Sequence, residues 1–172
     1  MTPTPADVWP YPRWVAHRGA GKLAPENTLA AFKLGAREGY RMFECDVKLS
    51  SDRVPFLLHD DMVERTTNGQ GVAGQLTWQA LQKLDAGNWH SAAYKGEPLP
   101  SLDTIADYCI SNGFDLNIEI KPTTGTDAHT GNFHSFPGQK HLLSEFSSAT
   151  LQQRASAFQL GDGLRHRATA LV

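Results

Sequence analysis

The sequence is short of several features that would place it in large functional classes. It has only 2 cysteines, Cys45 and Cys109, which do not suggest a disulfide framework and fit the reduced thiols of a cytoplasmic protein better. An excess of basic charge is missing too, with 16 Lys and Arg against 18 Asp and Glu. That balance argues against sequence-independent nucleic-acid binding, which relies on a basic surface. No apolar run is long enough to span a bilayer. The N-terminal residues, rich in Pro and Thr, lack the basic start and apolar centre of a signal peptide. Internal repeats are absent as well.

What is present is an alternation of strand and helix signals, the mark of an α/β protein with a mainly parallel sheet. Arg13 to Ala16 reads as a short strand delivering His17 and Arg18. Asn27 or Thr28 can cap the helix that follows, with Gly39 as its stop. Met42 to Leu49 is the second strand, Ser50 to Arg53 a turn, and Val54 to Leu58 a third strand ending at His59-Asp60. Residues 61–99 differ in kind: glycines, three large aromatics and one short helix, roughly Trp78 to Leu84, read as an insertion. A helix from Pro100-Ser101 to Asn112 precedes a fourth strand, Leu116 to Lys121. Beyond Thr123 the periodicity weakens; Leu142 to Phe146 is a candidate strand and Ala149 to Phe158 a candidate helix.

Acids and histidines cluster in four of these strand-like settings. Burying charge costs several kcal/mol unless a partner or metal compensates it, so four such clusters point to one shared site. Side chains alternate across a strand, so Glu44 and Asp46 share one face while Phe43, Cys45 and Val47 share the other. The same rule groups Asn117, Glu119 and Lys121. Three converging carboxylates cannot all stay ionised without a cation, and Mg²⁺ or Ca²⁺ prefers oxygen ligands. Glu44, Asp46 and Glu119 are therefore the candidate ligands. A tight hairpin sets His59 opposite Glu44 or, one residue slipped, opposite Asp46. His17 and His59 form a candidate acid/base pair for phosphodiester cleavage. Arg18 supplies a planar fork for phosphate oxygens and Lys121 a point charge.

Taken singly, each cluster has a plainer reading: a structural histidine, a solvated edge strand, or a same-face ion pair of little worth. Their conjunction carries the argument. His129, His134 and His141 are too loosely spaced for a second metal site and read as a solvated loop.

His17-Arg18-Gly19 with Pro25-Glu26-Asn27-Thr28, Glu44-x-Asp46, His59-Asp60 and Glu119-x-Lys121 together resemble the glycerophosphodiester phosphodiesterase family. Leu84 to Gly87 and Pro98 to Leu102 add to the likeness, which covers roughly Tyr11 to Thr126. The resemblance implies a TIM-type (β/α)8 barrel with a small insertion after the third strand. It implies metal-dependent hydrolysis of glycerophosphodiesters to glycerol 3-phosphate and an alcohol. His17 and His59 would be the acid/base pair, Glu44, Asp46 and Glu119 the metal ligands, and Arg18 and Lys121 the phosphate contacts. Glu26 and Asn27 would order the His17 loop or join the metal shell. Phospholipases of the sphingomyelinase-D or phosphoinositide type are an alternative with similar early strands. A full barrel usually needs about 250 residues, so the C-terminal half is expected to be incomplete. The expected organisation is a disordered segment at 1–12, a partial barrel at 13–160 with the insertion at 61–99, and an irregular tail at 161–172. Half-barrels could pair as a homodimer, and the chain could alternatively be an inactive member that only binds metal or phosphate. The family carries Asp-Gly where this chain has Asp52-Arg53, which implies a change of turn type.

Overall fold

A computed structural model of the chain describes residues 11–121. The expected N-terminal segment (1–10 of it), the elements after Lys121 and the tail lie outside the described residues. The order of the main elements is α1 (Leu29–Arg37), β1 (Met42–Leu49), β2 (Pro55–Leu57), α2 (Trp78–Leu81), α3 (Leu102–Asn112) and β3 (Asp115–Ile120). The strands form one sheet in the order β2-β1-β3.

β1 is the centre of this arrangement and is buried along all of its length. Phe43, Cys45, Val47 and Leu49 face a core that also holds Phe32 of α1, Ile105 and Cys109 of α3, and Leu116 and Ile118 of β3. Phe32 stacks on Phe43 with ring centroids 5.1 Å apart, and burying each such ring contributes about 1.5–3 kcal/mol. The helices α1 and α3 begin and end where the sequence predicts. The Thr28 hydroxyl accepts from Ala31 N, Ser101 does the same for Thr104 N, and Gly113 closes α3 in the left-handed conformation.

β3 runs parallel to β1 and β2 antiparallel to it. The first predicted strand shrinks to a single bridge, Ala16 with Phe43. Trp14 stays 53% exposed, with the Arg13 guanidinium over its ring, instead of entering the core. The β1–β2 hairpin is looser than the tight turn considered from sequence. Val47 pairs with Leu57 and Leu49 with Pro55, a register between the two that would bring His59 opposite Glu44 or Asp46. The cause is a five-residue loop, Ser50 to Val54. Ser50 N donates to Val54 O, Val54 N to Ser50 Oγ, and Ser50 Oγ to Asp52.

β2 is held from both sides. Leu57 joins the main core, whereas Phe56 and Leu58 join a second cluster with Val63, Ala73, Leu81, Ala86 and Leu99. That cluster is the interior of the segment read as an insertion, which contains α2, two short 3-10 helices (Ala73–Gln75 and Ala92–Tyr94) and turns. The helix predicted to reach Leu84 stops at Leu81. Asp85 organises the rest by accepting from Gly87 N, Asn88 N and Gly96 N.

Two predictions follow from backbone geometry. Arg53 sits at φ 64°, a left-handed conformation that favours glycine. Arg53→Gly should stabilise the chain by about 0.5–1 kcal/mol, read as a higher urea midpoint at unchanged m. At Gly35, α1 passes so close to the His17 loop that a Cβ would meet Gly19 O at 2.2 Å. Gly35→Ala, normally worth about 1 kcal/mol to a helix, should instead destabilise by about 1–3 kcal/mol in the same measurement.

Candidate active site and metal centre

One edge of β1 delivers both histidine-bearing segments. Ala16 N donates to Met42 O and Ala16 O accepts from Glu44 N, while Leu58 N donates to Asp46 O. Ala16 and Leu58 therefore lie end to end along that edge, and His17 and His59 are the residues that follow them. The opposite edge takes β3, whose register sets Glu119 beside Asp46 and Asn117 beside Glu44.

The predicted parity holds. One carboxylate oxygen from each of Glu44, Asp46 and Glu119 lies within 4.8 Å of the others. Asp46 is 1% exposed and is held on two sides by Asn27. The Asn27 amide Nδ2 donates to Asp46 Oδ2 at 2.9 Å, and Asn27 Oδ1 accepts from Asp46 N at 3.1 Å. Asn27 reaches this position from a left-handed backbone, φ 56°, which Asn tolerates better than most residues.

Arg18 is left-handed too, at φ 53°, which turns its backbone N–H onto Glu44 Oε2 at 3.0 Å. Its guanidinium donates to Glu26 at 2.8 Å and stands 3.1 Å from Asp46 Oδ2. Lys121 Nζ lies 2.7 Å from Glu119 and 3.2 Å from Asp46. His17 Nε2 is 3.8 Å from Glu44. His59 makes no such contact with the three acids; its Nδ1 is 2.8 Å from Asp60. The expected meeting of His59 with the carboxylates is thus not seen, because the hairpin register carries Leu58, not His59, to the ladder position beside Asp46.

This donor set fits a hard divalent cation. It consists of carboxylate oxygens alone, and Asp46 Oδ1 is buried without a well-formed hydrogen bond despite the nearby Lys121 ammonium. A buried lone pair of that kind is costly unless a cation takes it up.

A match to the glycerophosphoryl diester phosphodiesterase family covers residues 17–160. The chain belongs to this family. A Bacillus subtilis (strain 168) relative, provisionally named glycerophosphodiester phosphodiesterase YhdW, is 50% identical over 91 residues, 53% of this chain and 37% of its own. A Caldanaerobacter subterraneus glycerophosphodiester phosphodiesterase is 41% identical over 107 residues, 62% of this chain and 44% of its own. An Oleispira antarctica phosphodiesterase, solved in complex with the product sn-glycerol-3-phosphate, superposes with a TM-score of 0.65 at 40% identity. That alignment covers 67% of this chain and 47% of the other. The chain thus spans less than half the length of these relatives, and the described residues form part of the family's barrel fold.

Burial and crowding perturb the protonation of Glu44 and of its neighbours His17 and Lys121. Burial, and then the neighbouring Asp46 and Glu119, push the Glu44 carboxyl up to about 8, against the Arg18 backbone hydrogen bond. Burial and Arg18 lower the His17 imidazole. Partial burial works against the Lys121 charge, but Glu119 and Asp46 more than offset it and raise Lys121 above the ordinary value.

Two residues with structural weight are missing from the sequence-level set. Lys48, 2% exposed, pairs with Asp61; its place two residues after Asp46 on one strand was a usable signal. Arg65 pairs with Glu26 and Asp60, and Glu26 is 39 positions away, so no local pattern announces it.

A divalent ion must displace the Glu44 proton wherever it is bound. Titration of Mg²⁺ or Ca²⁺ into the chain near pH 6.5, in two buffers of different ionisation enthalpy, should release close to one proton per ion. Apparent affinity should rise with pH and level off above about 8. Proton release that is absent near pH 6.5 would contradict the protonated Glu44.

Proposed function

We propose that this chain hydrolyses glycerophosphodiesters to sn-glycerol 3-phosphate and an alcohol with the help of Mg²⁺ or Ca²⁺. The observation that carries this reading is the convergence of three carboxylates beside His17, in a chain of this family. The Oleispira relative's product complex supports the substrate class.

Glu44, Asp46 and Glu119 would hold the ion, which supplies positive charge to a phosphoryl oxygen. Asn27 fixes Asp46 by one hydrogen bond to its carboxylate and one from its backbone N–H. Arg18 and Lys121 are within reach of the same acids and would turn their donors to the phosphate, so that an anionic diester is attracted and not repelled. His17 and His59 would share the two proton transfers, one from the nucleophile and one to the leaving alkoxide as the P–O bond breaks. The lowered proton affinity of His17 suits it to accept a proton at neutral pH. Glu26 orders Arg18.

A second reading is binding of metal or phosphate by the same carboxylates and cations without turnover. One assay separates the two. Glycerophosphocholine or glycerophosphoethanolamine should yield glycerol 3-phosphate only when Mg²⁺ or Ca²⁺ is added. His17→Ala and His59→Ala should each lower the rate by about 100-fold or more. A folded, metal-loaded chain that is inert toward every such diester would discard hydrolysis in favour of binding alone.

A further inference from the structure

Arg65 lies outside the carboxylate cluster, yet it joins the two loops that carry the histidines. Its Nη1 and Nη2 donate to Glu26 Oε2 and Oε1 at 2.9 and 2.8 Å. Its Nε and Nη2 donate to the two carboxylate oxygens of Asp60. Glu26 in turn accepts from Arg18, and Asp60 touches His59 Nδ1 at 2.8 Å. The result is one chain of contacts, Arg18–Glu26–Arg65–Asp60–His59, that crosses from the His17 loop to the His59 loop. An isolated exposed ion pair is worth little, but a guanidinium shared bidentately by two carboxylates has fixed geometry.

We infer that Arg65 is a positioning residue: by clamping Asp60 against Glu26 it fixes the tautomer and orientation of the His59 imidazole. The Arg65 hydrogen bonds, assisted by the one from His59, hold the Asp60 carboxyl well below the usual carboxylate range. An ionised carboxylate has no proton to donate, so the hydrogen shared with His59 must reside on Nδ1. In the neutral ring this leaves the Nε2 lone pair free for proton exchange. Asp60 alone could not secure this, since it is part-exposed and adjacent in sequence to His59, free to turn toward water. Arg65 removes that freedom by anchoring Asp60 to a residue of the other loop.

This role rests on the reading of His59 as an acid/base group, and the test separates the two. In the full chain labelled with ¹⁵N-histidine, the ring nitrogens of His59 should report the Nδ1–H tautomer. Arg65→Ala should shift them toward the Nε2–H form that free imidazole side chains prefer. With Mg²⁺ present, kcat on glycerophosphocholine should fall roughly 10- to 100-fold, with KM changed less than about threefold and Mg²⁺ affinity unchanged. Arg65→Lys should recover part of both signals. If Arg65→Ala fails to fold, Arg65→Gln, which keeps polarity without charge, takes its place in both measurements. His59 ring shifts identical in wild type and folded variant would overturn the inference, as would a loss confined to KM. A wild type that shows the Nδ1–H tautomer, lost on Arg65 substitution, but no turnover would retain the Arg65 contact and overturn the hydrolytic reading instead.

Discussion

The structure depends on a single constraint: β1 is buried on both faces but is apolar on only one. Its odd-numbered residues close the core against α1 and α3. Its even-numbered residues put Glu44, Asp46 and Lys48 into an environment with almost no solvent. A strand of that kind is stable only if its charged face is matched by partners, and the surrounding loops are arranged to provide them. Asn27 takes both sides of Asp46, the Arg18 backbone takes Glu44, Asp61 takes Lys48, and Lys121 comes in from β3.

The matching explains several conformations that would otherwise be unfavourable. Arg18 and Asn27 occupy left-handed backbone, the geometry in which their hydrogen-bonding groups meet the acids. Glycine at 35 allows α1 to approach the loop between them. Local backbone cost at such positions, on the order of 1–3 kcal/mol each, persists where the surrounding contacts over-determine the conformation. Here those contacts are the ones that surround the acids. The site and the fold are therefore not separable: the loop that carries His17 is shaped by the carboxylates it serves.

The second histidine is positioned by different means. It follows a short antiparallel strand wedged between two apolar clusters, and its orientation comes from Asp60 and Arg65 rather than from the sheet. The two halves of the candidate acid/base pair thus rest on unlike supports. One is a backbone turn locked onto a metal-type cluster, and the other is an exposed network of charges.

Much was legible in the sequence because it depends on short-range rules. Period-two alternation assigned the two faces of β1 and β3 and grouped Glu44, Asp46 and Glu119. Thr28, Ser101, Gly39 and Gly113 marked helix ends through their own hydrogen-bonding and φ preferences. The run of polar clusters and their order sufficed for the family. What only the tertiary structure decided was pairing between distant segments. Hairpin register was set by a five-residue loop whose Ser50 bonds no propensity predicts, and it moved His59 away from the acids. Lys48 meets Asp61 across 13 positions and Arg65 meets Glu26 across 39, contacts made by folding and not by local spacing. A residue's face on a strand is fixed by covalent geometry; which loop meets it across space is fixed by the packing of everything between.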